Sequence, residues 1–247
     1  MSDILRPVLT FVALLVVWEA AVRGLAIRPF YLPAASVVLA DLWSAPSLYF
    51  HAVVRTLTET LMGFVAGVLF GLACGTLFAH ARFMERMLFP YFVVSQTIPV
   101  IAFGALIIMW FGNGLLSKAI IAFYLTFFPV TVNTQRGLSG VDEQRIALLR
   151  SFGAGSLKMF VKLRFPHALP SIMVALRLGI SLSLVGAIVG EWFGDVTGLG
   201  VMLVHAMFNE HIARLWGVIL ICGLLGGALY SAVTAIERRY VFWRAEV

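Results

Sequence analysis

The chain is 247 residues long, 61% hydrophobic and only 12% charged, with a mean hydropathy of +0.98 and a formal charge of +6. Soluble domains carry about a quarter of charged residues, so a water-soluble class is excluded and the bilayer is the solvent to reason with. At about 20 apolar residues per crossing there is room for six spans and short loops, but for no large soluble domain besides.

Apolar runs predict crossings at about 7–25, 57–79, 88–110, 117–135, 170–191 and 214–236. Each run is continuous over about 20 residues instead of alternating over about 10, which excludes barrel strands. The chain therefore reads as an all-α integral membrane protein with six transmembrane helices, forming one transmembrane domain over residues 1–247. Arg6 precedes the first run, but no small-residue cleavage site follows it, so a retained helix is expected.

In the second run Gly63, Gly67, Gly71 and Gly75 recur every four residues and share one helical face. The fifth run repeats the device with Gly179, Ser183, Gly186 and Gly190. Both stripes predict close helix packing, with a moving interface as the alternative. Polar groups are costly in hydrocarbon, which makes Gln96, Asn133, Arg177 and Glu191 candidates for a translocation pathway, together with Pro99, a kink site three residues after Gln96. Each has a structural alternative: an interhelical hydrogen bond for Gln96, snorkelling or an ion pair for Arg177, and a solvated anchor beside Trp192 and Phe193 for Glu191.

Between the fourth and fifth runs lies a loop of about 136–169. Ser139 with Asp142 predicts a helix start, Ile146, Leu149 and Phe152 form an apolar stripe, Gly153 and Gly155 interrupt it, and Pro166 and Pro170 close it. Two short helices joined at a glycine turn are expected. An amphipathic basic loop of this kind suits either anionic lipid or a docked protein. Arg6, Arg82, Arg86, Arg136, Arg145, Arg150, Lys158, Lys162, Arg164, Arg238, Arg239 and Arg244 fall on the loop's side of the membrane. Only Arg23, Arg28, Arg55, Lys118 and Arg214 fall on the other. The positive-inside rule then predicts that the loop and both termini are cytoplasmic, and accounts for the net charge without nucleic acid.

No G-x-x-x-x-G-K-[ST] phosphate loop, G-x-S-x-G nucleophile motif or i, i+4 histidine pair occurs. Cys74 and Cys222 read as free small hydrophobes. No catalytic residue, metal or cofactor is expected in this chain.

Gly153 followed by Leu163-Arg164-Phe165-Pro166 resembles the EAA loop of bacterial ABC importer permeases. Trp18-Glu19, Leu32-Pro33, Ser36-Val37-Val38-Leu39, Ile98-Pro99, Trp110-Phe111-Gly112, Lys118, Phe128-Pro129, Leu176-Arg177, Gly190-Glu191 and Gly198-Leu199-Gly200 extend the likeness, along nearly the whole chain, to the nitrate, sulfonate and taurine importer permeases. The resemblance implies a type I importer permease in the bacterial inner membrane, paired with a second permease copy or a paralogue. It further implies two ABC ATPase subunits that hold ATP and Mg, and an extracytoplasmic solute-binding protein. Ala147, Arg150, Ser151, Phe152, Gly153, Ala154, Leu157, Phe160 and Pro166 would then meet the ATPase. The chain departs from the pattern in reading Ala147-Leu148-Leu149 for Glu-Ala-Ala, and in Ala105 and Ala35 where the branch carries proline. Ser95-Gln96-Thr97-Ile98-Pro99 is closer to permeases for thiamine-pyrimidine precursors or riboflavin than to those for sulfonates. The rival readings are a secondary transporter or channel without an ATPase, and an intramembrane enzyme.

Overall fold

The computed structural model describes residues 2–241; Arg244 and the side chain of Arg6, both counted for orientation, lie outside it. Helices α1 (Ser2–Gly24), α2 (Ala35–Ser44), α3 (Pro46–His80), α4 (Arg82–Ser95), α5 (Val100–Phe111) and α6 (Leu115–Ser139) precede the loop. The loop itself holds α7 (Glu143–Ser151), α8 (Ser156–Met159) and a π-helical turn (Phe160–Arg164), which runs into α9 (Phe165–Glu191); α10 (Leu199–Phe208) and α11 (Ile212–Tyr240) follow. By length and composition, α3, α6, the stretch Ser156–Glu191 and α11 can each cross a membrane, and the bent pair α4–α5 raises the four to five.

Helix α6 is the centre of the core, with α3 and α9 packed on it. The glycine stripe of α3 faces α6 in a constant register: a Cβ on Gly67 would lie 2.7 Å from Thr126, one on Gly71 2.7 Å from Val130, and one on Gly75 2.6 Å from Thr134. No side chain fits at these positions, so backbone meets backbone over about four turns. The stripe of α9 approaches the same helix, with Gly186 against the Ala122 backbone and Gly190 against Lys118. Ser183 Oγ ties α9 to α3 by donating to the Thr60 carbonyl at 2.7 Å.

The third predicted span is not one helix. It breaks over residues 96–99 into α4 and α5, which meet at 97°. Pro99 offers no N–H and drives Ile98 out of helical geometry. Backbone N–H groups of Thr97 and Ile98 still reach Val94 O and Ser95 O across the break, and hydroxyl groups add to them: Ser95 Oγ donates to Phe92 O at 2.7 Å, Thr97 Oγ1 to Val94 O at 2.8 Å, and Tyr124 to Ser95 O. The fifth span also starts earlier than expected, because Pro166 falls in the first turn of α9 and Pro170 is carried inside the helix. Short helices α2 and α10 lie below bilayer length and were not expected. They pack with α3 and α11 around Tyr49, Ala52, Leu199, Met202 and Val218 at the end of the core away from the loop.

Candidate functional site

Asp142 starts α7: its carboxylate accepts from the Gln144 N–H at 2.9 Å, with Glu143 in the first turn and Arg150 in the last to complement the dipole. The sequence had suggested Ser139 for this role, but Ser139 is the last residue of α6. The turn after α7 depends on Gly153, whose φ of +72° is left-handed and whose missing Cβ would meet nothing within 4 Å. Of the expected apolar stripe, Ile146 and Leu149 are half-buried, while Phe152 leaves the helix and is 77% exposed. Leu157 is equally exposed and Leu148 is 58% exposed. Ala147, Arg150 and Ser151 are also exposed, Ala154, Phe160 and Pro166 half-buried. The tip is thus an ordered, basic segment that presents large apolar side chains to the outside.

Behind the tip the structure stiffens. The π-helical turn makes Ser156–Glu191 nearly one continuous rod. His167 Nδ1 lies 3.1 Å from the Gly137 carbonyl, and a Cβ on Gly137 would come within 2.9 Å of Ala168. The loop is therefore joined to the core where α6 ends and α9 begins, around Leu138, Ala168 and Ile172.

The pathway candidates are not gathered into one place. Gln96 is half-buried in the α4–α5 turn and reaches only Ser95 Oγ, at 3.5 Å, while Pro99 caps α5. Asn133 Nδ2 donates to the Pro129 carbonyl at 2.8 Å within α6. Arg177 pairs with Glu237 of α11 at 3.1 Å and lies 5.9 Å above the Tyr230 ring.

Glu191 is 1% exposed, so it is no solvated anchor. It accepts from Thr56 Oγ1 at 2.6 Å and from the Gly200 N–H at 2.6 Å, while Thr56 in turn accepts from the Leu199 N–H at 2.9 Å. A carboxylate from α9 and a hydroxyl from α3 thereby satisfy the first donors of α10. Around this cap lies an ionic group that sequence reasoning missed. Lys118, 0% exposed, pairs with Asp195 at 2.9 Å and donates to Asn113. Arg55 lies 3.4 Å from Asp195 and 2.8 Å from Glu59, the latter without hydrogen-bond alignment. Burial pushes the Asp195 carboxyl up, but the Lys118 hydrogen bond, the Val196 N–H and the neighbouring cations outweigh it and hold the group below the ordinary carboxylate range. Glu59, an acid in an apolar run four residues after Arg55, was the signal available.

Landmarks far apart in sequence also meet. Glu19 accepts from the Ser36 N–H at 3.0 Å and from Ser36 Oγ at 2.9 Å, and the Trp18 and Trp216 rings lie 5.5 Å apart.

A chain of the MetNI methionine ABC transporter in an inward-facing conformation superposes with a TM-score of 0.71 at 18% identity, over 79% of this chain and 97% of that one. The fold is that of an ABC importer permease. Residues 67–242 match the binding-protein-dependent transport system inner membrane component, and the chain belongs to that family of multi-pass inner-membrane permeases. It is 34% identical to the formylaminopyrimidine transport permease ThiX of Halalkalibacterium halodurans, over 97% of this chain and 96% of that one. It is 32% identical to the riboflavin transport permease RibX of Chloroflexus aurantiacus, over 96% and 89%. The taurine permease TauC of Escherichia coli is 28% identical over 96% and 89%.

Proposed function

We propose that this permease works as one of a pair, with both termini and the α7–α8 loop in the cytoplasm, α1 supplying the sixth span, and the loop tip seated in a groove of an ATPase subunit. ATP is bound and hydrolysed by that partner. A solute-binding protein delivers the substrate on the opposite face, and closure of two ATPases drives the alternation of access. The observation that carries this reading is the exposed apolar pair Phe152 and Leu157 on a rigidly mounted basic tip, a surface that is costly in water and suited to a partner. The substrate class is a small nitrogen heterocycle, a thiamine-pyrimidine precursor or a flavin-like solute, in keeping with the near full-length likeness to ThiX and RibX.

Gly153→Trp tests the docking. The left-handed backbone strains any side chain by about 1–2 kcal/mol, too little to unfold the core, while the indole occupies the docking face. The variant is expected to fold and insert yet to lose ATPase co-purification and substrate-stimulated hydrolysis. Normal stimulation would refute the reading. The substrate is read by mass spectrometry of the ligand that the cognate binding protein retains: a heteroaromatic solute is expected, and a sulfonate or nitrate would overturn that part alone.

A further inference from the structure

Two adjoining cavities lie between the end of α3 and the loop, and Arg150 and Ala154, expected at the ATPase contact, border the first of them. One, of about 450 Å³, is lined by His80, Arg150, Gly155, Ser156 and Arg164. The other, of about 550 Å³, is lined by Arg82, Glu85, Gln135 and Ser139 and again by His80 and Arg164. Arg164 is the wall they share. Its Nε atom is buried and has no hydrogen-bond partner. Neither Arg164 nor Arg150 nor Arg82 forms an ion pair among the described residues.

The carboxylate lining the second cavity, Glu85, already accepts from Gln135 Nε2 at 2.9 Å. Glu143 lines a third cavity beside Arg150 and Arg164 without pairing to either. A half-buried guanidinium with an unsatisfied donor and two further arginines, none of them ion-paired to Glu85 or Glu143, makes a cleft suited to an anion.

We infer that this cleft holds the phosphate headgroup of an anionic membrane lipid. His80 is the last residue of the spanning helix α3, so the cleft opens where hydrocarbon gives way to headgroups. Leu77, one turn before His80, and Phe83, beside Arg82, are exposed apolar side chains on which acyl chains can lie. Planar guanidinium forks match phosphate oxygens, and basic pockets at the ends of spans favour anionic headgroups. Phe152 and Leu157, the apolar side chains offered to a protein partner, line neither cavity, although Arg150 and Ala154 beside them do.

The test uses the full chain in phosphatidylcholine nanodiscs with increasing phosphatidylglycerol, and native mass spectrometry to count retained lipid. Thermal melts check that each variant is folded. Wild type is expected to retain phosphatidylglycerol in preference to phosphatidylcholine. Arg164→Gln and, independently, the exposed Arg150→Gln are each expected to weaken retention roughly tenfold, the scale of one lost charge-assisted hydrogen bond. Lys162→Gln, an exposed cation outside both cavities, is expected to leave it unchanged. Equal retention by wild type and both arginine variants would overturn the inference. So would displacement by inorganic phosphate with no preference between the two lipids, which would make the ligand a free anion. Arginine variants that keep the lipid but lose a co-purifying ATPase would overturn it too, assigning the cleft to a partner carboxylate. Lipid retention is read without an ATPase, so its failure is distinct from failure of the docking proposal.

Discussion

At the end of the core away from the loop, Arg55, Lys118 and Arg214 each hold an acidic partner from another element: Asp195 for the first two and Asp41 for the third. At the loop end, Arg82, Arg86, Arg136, Arg145, Arg150, Lys158, Lys162 and Arg164 form no ion pair among the described residues. The same residue types therefore serve two purposes. Paired, they fix the loop after α9 against α3 and α6, and α11 against α2. Unpaired, they leave a basic surface, the one proposed above to meet lipid and a protein partner. The charge asymmetry counted in the sequence is thus also an asymmetry of satisfaction, and Lys118, 0% exposed, is an architectural residue before it is a topological signal.

The sharpest way to break the paired end is Lys118→Met, which keeps the bulk and removes the charge. Loss of one partner of a buried pair costs about 3–5 kcal/mol, so a large drop in melting temperature in detergent is expected. The depressed Asp195 carboxyl gives this prediction a pH signature. Its stabilisation is complete above the ordinary aspartate range, about pH 4, and is lost as pH falls through the lower folded value. The gap between wild type and Lys118→Met should therefore hold from pH 7 down to about 4 and narrow below it, and a gap that stays constant below about pH 4 would argue against the pair.

Gly71→Leu is the next largest. It forces a side chain into the 2.7 Å that separates a Cβ there from Val130, and overpacking costs about 1–3 kcal/mol, more if α3 is pushed off α6. An unchanged melting temperature would mean that the two helices are free to slide apart, the alternative reading of the stripe.

The spacing of the small residues made the α3–α6–α9 core legible, because a period of four is a local property of the chain and dictates one face. The loop was legible as two short helices for the same reason: Gly153 and the charge pattern lie within a few turns of each other. What escaped was non-local. Arg55 and Asp195 are 140 residues apart, and Thr56 and Glu191 are 135 apart, so no window could join them. Glu191 was visible as a polar group at a span end, but its role as the cap of α10 required α10, a ten-residue helix too short to stand out as a span. Pro99 announced a kink, yet the 97° turn is also held by hydroxyls that donate to carbonyls at the break, including Tyr124 from another helix.

At the loop end the expected effect on stability is smallest. Phe152→Ser with Leu157→Ser removes two exposed apolar side chains that make no core contact, a change within about 0.5 kcal/mol of neutral, so the melting temperature should hold. The central claim, that this tip is kept for a partner while the opposite end is kept for the fold, is tested most directly by assaying this double variant for substrate-stimulated ATP hydrolysis in the reconstituted assembly. A folded, inserted protein without stimulation is predicted. A folded protein with wild-type stimulation would contradict the account.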